Sequence, residues 1–461
     1  MGTEWIRTEM APLALGDPRL KERVIRMIGL FSANPEASIP KACGNAADTK
    51  AAYRALSSEA VSAEEIRLAH ARAAAERANA FGRVLVGQDT MGLSLGGDGT
   101  RIQGLGSMGG KGSARGLFVH SALMSTPEGL PLGIVYQQVW AREDAAGKRE
   151  TRRSRLIEEK ESFRWLETVD AVESLLPHEV EVWIAGDREA DIFELFAMPR
   201  RPGMELVVRA THERKIAGEE FKYLHAAVEG AAVLGEMQVE VPRSRKRKGR
   251  TATLEVRACS VTLVPPRNHL GRGDLSPVSV SVVRVLETRT VPEGEEPIEW
   301  MIITTVAVSS LGEAVEIVEA YAQRWKVERY HYVLKSGCGM ENLQLESADR
   351  IERALAMYNV VAWRLLYMTY VARVAPDLPC TAVLEDDEWK ALYVVGSTRP
   401  RPLPDKPPTV REAVRIVAML GGFLGRKRDG EPGVQSLWTG FRRLMDFTLA
   451  IQRLRLANTC G

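Results

Sequence analysis

At 461 residues the chain is longer than one compact core sustains and should divide into several domains of ~100 to 200 residues. Hydrophobic and charged fractions of 45% and 26% exclude wholesale disorder; no apolar run nears the ~18 residues of a membrane span, and the start MGTEWIRTEM lacks a leader's basic and apolar stretches, so the expected place is the cytosol. A net charge of +2 excludes a uniformly basic coat for nucleic acid and confines any affinity for polyanions to local patches.

In chain order, residues 1 to about 62 carry helix signals and no strand runs. Asp17-Pro18 reads as a cap and a first-turn proline before Arg19-Leu-Lys-Glu-Arg-Val-Ile-Arg, which lines up Arg19, Arg23 and Arg26, and a second helix runs through Asp48 to Leu56. From about 82 short apolar runs appear: Val84 to Val86 ending near Asp89, Leu117 to Met124, Gly133 to Trp140, and Val180 to Ile184 ending near Asp187. Helical stretches at 63–79 and 157–175 flank them, so this part reads as mixed α/β. Residues 204–308 are almost all strand-like, as an inserted antiparallel sheet would be. Helices return after 310 and again beyond the proline-rich run Pro400 to Pro408.

The five cysteines are scattered and odd in number, and the seven histidines form no His-x-x-x-His pair, so any metal must be held by oxygen. Gly104-Leu-Gly106-Ser-Met-Gly109 has the spacing of a dinucleotide loop but leads into strand rather than helix, and is read as a plain loop. The densest basic run is Arg243 to Arg250, containing Arg245, Lys246, Arg247 and Lys248.

Asp89 and Asp187 each stand at the end of an apolar strand, where rigid backbone can fix a side chain at a cleft, although Asp187 could equally cap a helix starting at Arg188. Ser310-Leu-Gly-Glu313 is a capping box opening a helix expected to reach Lys335. At ~100° per residue, Tyr321, Arg324, Glu328 and Lys335 fall in a polar stripe about 60° wide, edged by Trp325 and Tyr332.

Asp-Arg-Glu-Ala-Asp at 187–191, the Tyr321, Arg324, Glu328, Lys335 spacing, Leu15-Gly-Asp-Pro-Arg19 and Ala52-Tyr-Arg54 together resemble transposases of the transposon-five type in the insertion-sequence-four family, with likeness along nearly the whole chain. The resemblance implies a multidomain α/β protein: a helical DNA-binding domain at 1–62, an RNase H-like catalytic domain at 63–375 with a β-sheet insertion at about 200–308, and a helical dimerisation region at 376–461. It implies a cut-and-paste DNA transposase that nicks inverted-repeat ends, forms hairpins there and joins 3′ hydroxyls to target DNA. Asp89, Asp187 and Glu328 would be catalytic and hold two Mg²⁺ or Mn²⁺ ions. Tyr321, Arg324 and Lys335 would grip phosphate, helped by Arg188 and Arg209. Trp300, with Trp325 as second candidate, would stack an extruded base, and His331 is a matched DNA contact. Arg19, Arg23, Tyr53 and Arg54 would bind transposon ends, with the 245–248 cluster on phosphate.

The implied partners are transposon-end and target DNA and a second copy of the chain, in a bacterial, nucleoid-associated setting. Apolar Leu420, Phe423, Leu437, Trp438, Phe441, Leu444 and Phe447 would form the dimer contact. Gly96 and Thr211 stand where the relative carries basic residues, and Tyr332 replaces a lysine, so grip on DNA should differ from the relative. The alternatives are an RNase H-like nuclease or resolvase, and an inactive DNA-binding descendant.

Overall fold

Helix starts follow the capping chemistry of the sequence. Asp17 accepts from the Arg19 N–H with Pro18 in the first turn, Asn45 accepts from Asp48 and Ser62 from Glu65. In a computed structural model that describes residues 4–96, 101–109, 114–143, 156–241, 249–266, 275–289, 291–396, 402–427 and 429–459, these caps open α2, α4 and α5.

The order is α1 (Glu4–Glu9), α2 (Pro18–Ala33), α3 (Ile39–Cys43), α4 (Ala46–Leu56), α5 (Ala63–Ala78), β1 (Arg83–Gly96), β2 (Gly106–Ser107), β3 (Arg115–Ser125), β4 (Pro131–Trp140), α6 (Arg164–Leu175) and β5 (Glu181–Gly186). Next come α7 (Phe193–Ala197), β6 (Met204–Arg209), β7 (Ile216–Ala217), α8 (Leu224–Gly230), β8 (Val233–Val241), β9 (Arg250–Leu263), β10 (Val278–Glu287) and β11 (Glu299–Thr304). The chain closes with α9 (Leu311–Gln323), α10 (Trp325–Tyr332), α11 (Ala348–Val374), α12 (Asp386–Val395), α13 (Val410–Leu420) and α14 (Val434–Thr459). Mixed α/β with helical regions at both ends agrees with the expected fold class. No helix among the described residues is long and apolar enough to cross a membrane.

The chain groups into two compact units, neither continuous in sequence. The first takes residues 1–80, 90–145 and 326–461; the second takes 81–89 and 146–325. In the first, α11 is buried along most of its length and packs against α2, α4, α5, β4, α13 and α14. Phe31 of α2 stacks on Tyr358 of α11 with ring centroids 4.7 Å apart. The alanine-rich α5 lies close on β4: a Cβ on Gly133 would come within 2.4 Å of the Ala74 Cβ. Helices α13 and α14 are closer still, since a Cβ on Gly440 would stand 1.7 Å from the Val417 carbonyl oxygen. That approach explains why Leu437, Trp438, Phe441 and Leu444 are buried within the unit itself, contrary to the expectation that they form an exposed dimer contact.

The second unit is a sheet in which β5 pairs in parallel with the first residues of β1 and with β6, while β6, β11, β10, β9 and β8 follow in antiparallel pairs, as expected of a sheet inserted after 204. Helix α9 covers one face through Ala314, Ile317, Val318 and Tyr321.

One polar cluster links α1, α5 and β4 in the first unit. The Ile134 N–H donates to His70 Nε2 at 3.0 Å, which leaves the ring proton on Nδ1, 2.6 Å from Glu9 Oε1; Arg77 donates to Glu9 Oε2 at 2.7 Å. Burial pushes the Glu9 carboxyl up, but the His70 hydrogen bond and the Arg77 charge outweigh it and hold it below the usual glutamate range. A carboxyl depressed on folding stabilises the fold at neutral pH, and that stabilisation fades as pH falls through the folded value. Glu9→Gln should therefore cost about 3 kcal/mol at pH 7, and the deficit should shrink toward and below about pH 4.3. Thermal melts of both proteins across this range check it; an equal deficit throughout would contradict the ion-pair account.

Candidate active site

Strands β1 and β5 run in parallel with Val84 opposite Val182 and Gly87 opposite Ala185. Asp89 and Asp187 each stand two residues past that last rung, and with the side-chain period of two they leave the same face side by side. Asp187 lies just beyond the end of β5, as expected. Asp89 does not end its strand: β1 continues to Gly96 and neighbours β3, so Asp89 sits where β5 stops and β1 goes on.

Asp187 also caps a short turn, Arg188–Ala190, its Oδ1 accepting from the Glu189 N–H at 2.8 Å. The capping reading of Asp187 thus holds, and it leaves the second carboxylate oxygen outside that cap. Burial raises its pKa, the Glu189 N–H lowers it, and the neighbouring Asp89 charge raises it further against an opposing pull from Arg324; the net direction is up. Two hard-oxygen carboxylates with surplus negative charge suit Mg²⁺ or Mn²⁺. Among the described residues, no group of three or more His, Cys, Asp or Glu side chains is gathered to hold a metal ion. What the second unit supplies from its own residues is the aspartate pair.

Arg324 adds the compensating charge. Its side chain is buried, with Nη1 3.9 Å from Asp89 Oδ1. The Ser310 and Glu313 capping box forms as read, but the helix it opens is not continuous to Lys335. It breaks at Arg324, whose N–H turns back to the Tyr321 carbonyl at 3.0 Å, then resumes as α10 and ends in a π-helical turn, Val333–Gly337. Uniform 100° spacing is therefore not kept along the stripe. The Arg324 backbone presses on β1 so closely that a Cβ on Gly87 would lie 2.9 Å from its Cα.

Two aromatic rings stand near Arg324, and a third meets one of them. Its guanidinium lies 5.8 Å from the Tyr321 ring and 5.7 Å from that of Trp325, within cation–π reach, and Trp300 of β11 meets Tyr321 edge-on at 5.4 Å. Trp325 is 48% exposed and Trp300 partly so. Tyr321 is only 1% exposed, so in this conformation it supports Trp300 and Arg324 from below rather than offering its hydroxyl as a phosphate grip. Arg188 is exposed beside Asp187, and Arg209 at the end of β6 donates to the Glu299 carbonyl at 3.1 Å.

Sequence reasoning passed over a buried clamp in the same unit. Asp191, the last residue of the Asp-Arg-Glu-Ala-Asp motif, accepts from the Thr211 and His212 N–H groups at 2.7 and 2.9 Å and from Arg214 Nε at 2.7 Å, fastening the loop after β6 to the turn after Asp187. The signal was its place inside the motif.

In the first unit Glu328 lies half-buried on α10, whose Val327 and Tyr330 are buried. Lys335 falls in the π-helical turn. His331 departs from its expected role: it is 5% exposed, packed beside the Tyr330 ring, and offers DNA no surface in this conformation. At the N-terminal end Arg19 and Arg23 line a groove of about 700 Å³ with Arg7 and Arg26, and Tyr53 and Arg54 are at least partly exposed on α4, which packs on α2. Two of these arginines carry acidic partners, Arg7 with Glu22 and Arg26 with Asp48. Arg245, Lys246, Arg247 and Lys248 lie outside the described residues.

Three family models match the chain. One described as a transposase DNA-binding domain covers residues 2–61, one described as a transposase DDE domain covers 161–364, and one described as the transposase Tn5 dimerisation domain covers 360–459.

The Gly87 contact gives a direct check of the site's geometry. Gly87→Ala has to move the Arg324 backbone, and overpacking of this kind costs about 1–3 kcal/mol. Chemical denaturation should register that loss, and an unchanged midpoint would mean that α9 does not press on β1 here.

Proposed function

Since the chain belongs to the DDE transposases of the transposon-five type, enzymes that cleave DNA and transfer its strands, we propose that it excises a transposon by nicking and hairpin formation at inverted-repeat ends and joins the freed 3′ hydroxyls to target DNA. The observation that carries this reading is the Asp89 and Asp187 pair past one rung of the β1–β5 ladder, with the Arg324 guanidinium beside it. Glu328 is the third carboxylate of the proposed set, and carboxylate oxygens are the ligand type that divalent ions of this kind take. Asp89, Asp187 and Glu328 would hold the two Mg²⁺ or Mn²⁺ ions, which when bound would supply activation of the attacking oxygen and stabilisation of the leaving one.

The side chains have their own tasks. Arg324 and Lys335 offset the charge on the phosphoryl group undergoing transfer, and Arg188 and Arg209 hold the flanking backbone. Hairpin closure requires one base to leave the stack, and Trp300, carried on a strand and backed by Tyr321, is the surface it stacks on, with Trp325 beside Arg324 as a second. Arg19, Arg23, Tyr53 and Arg54 bind the transposon end, and the Arg245 to Lys248 cluster lies on its backbone.

DNA and a second copy of the chain are the partners. In the synaptic complex two copies hold two ends, in a cytoplasmic, nucleoid-associated setting, and the apolar side chains left exposed in the C-terminal helices and the loop between α13 and α14, Met419, Leu424, Phe447 and Leu454, are the surface available for pairing. Matches across residues 2–61 and 360–459 favour this reading over a plain nuclease, and the presence of all three carboxylates favours it over an inactive descendant.

Asp89→Ala, Asp187→Ala and Glu328→Ala should each reduce Mg²⁺-dependent nicking at least about a thousandfold while end binding persists, because these groups hold metal rather than DNA. A plasmid carrying the inverted repeats, assayed beside gel-shift of an end duplex, measures both; any of the three nicking at the normal rate removes that residue from the triad. Trp300→Ala should slow hairpin formation about tenfold or more and leave first-strand nicking nearly intact, since only the hairpin needs an extruded base. Equal loss at both steps would make Trp300 a folding residue.

A further inference from the structure

Lys335 is not simply presented to solvent. The π-helical turn that carries it is closed by the Cys338 N–H donating to the Val333 carbonyl at 2.8 Å; its Nζ donates to the Gly92 carbonyl at 3.0 Å and forms an ion pair with Glu341 Oε1 at 3.0 Å. Glu341 is itself anchored: the same Oε1 accepts the Ser94 N–H at 2.8 Å. Gly92 and Ser94 lie on β1, the strand that carries Asp89, so the lysine ammonium is fastened to that strand once directly and once through Glu341.

An ammonium has three protons to donate; one goes to the Gly92 carbonyl, and the Glu341 charge holds the nitrogen in place. With one proton directed, the tetrahedral nitrogen sets where the other two point, so the ammonium is aimed before any phosphate arrives. Both side chains are about one-third exposed, at 35% and 31%, and a pair this open to water adds little to stability. A placement role accounts for the arrangement where a stability role does not.

We propose that Glu341 is a positioning residue for Lys335: it holds the ammonium against β1 so that an N–H not given to Gly92 meets the phosphate undergoing transfer. The proposal rests on the reading of Lys335 as a phosphate grip. It gives Glu341 no contact with DNA. An anion near a phosphate site would ordinarily oppose binding, so its effect must appear in the chemical step rather than in affinity.

The test compares Glu341→Ala, Glu341→Gln, Lys335→Ala and the double variant in the full chain with Mg²⁺ and a duplex of the inverted repeat flanking its coding sequence. Single-turnover nicking at saturating protein reads the chemical step, gel-shift reads end binding, and thermal melts check folding. Glu341→Ala should nick about tenfold more slowly with an apparent Kd changed less than about threefold. Glu341→Gln keeps an oxygen to accept from Ser94 and to face Lys335, and should recover to within about threefold of the parent. The double variant should be no slower than Lys335→Ala alone, because the two act as one unit. Normal or faster nicking by Glu341→Ala beside a slow Lys335→Ala overturns the positioning role and leaves the phosphate grip standing. Normal nicking by Lys335→Ala overturns the grip itself, and the proposal with it. An additive double variant, or a glutamine variant as slow as the alanine one, also overturns the proposal.

Discussion

The site depends on one backbone fact: β1 and β5 are parallel and in register through Gly87 and Ala185. Parallel pairing sets two aspartates that are 98 residues apart in sequence on adjacent strands at equal depth. A slip of one residue would turn one of them to the opposite face. Register here is held by apolar residues on both strands, Val84, Val86, Val182 and Ile184, each fully buried. The position of the charged pair is thus enforced by hydrophobic packing and not by the charges, which repel. Gly87 completes the constraint by letting the backbone that carries Arg324 approach the strand more closely than any side chain would allow.

The result is a place where charge is concentrated at a cost to the fold. Asp187 is half-buried next to another carboxylate and is harder to ionise than a free aspartate. Arg324 offsets this tension only in part, while the Asp191 and Arg214 clamp and the Trp300 and Tyr321 contact brace the neighbouring segments. Sites that hold like charges together are suited to bind cations, because the ion relieves a repulsion already present.

Much of this was legible in the sequence where local chemistry is decisive. Asp17-Pro18 and Ser310 with Glu313 announced their helices because capping needs particular atoms at particular spacings, and the strands of the inserted sheet announced themselves by alternation and β-branched residues. Legibility failed where tertiary packing decides. The break at Arg324 follows from the approach to Gly87, over two hundred residues away in sequence, and no helical period can show it. The aromatic residues of α14 looked exposed because a helix read alone has nothing to bury them, whereas Gly421 and Gly440 allow α13 to come close enough to do so. Whether His331 and Tyr321 face solvent was equally beyond spacing arguments, since it depends on which neighbours arrive. Glu341 carried no signal at all: its partner Ser94 lies 247 residues away, and its role exists only once β1 and the π-helical turn are side by side.

The interleaving of the two units sets how the chain can acquire its structure during synthesis. The helices of residues 1–80 leave the ribosome first, yet much of the surface that covers them, on α11 and α14, is made only after residue 326, when the whole intervening unit has already emerged. For that interval Phe31 of α2 lacks the Tyr358 ring that later stacks on it, and the apolar side of these helices stays open to chaperones or to misassembly. Contacts this distant in sequence make closure of the first unit a late and slow event. The helices that read as a self-contained N-terminal module along the sequence are therefore, in folding terms, among the last parts of the molecule to be finished.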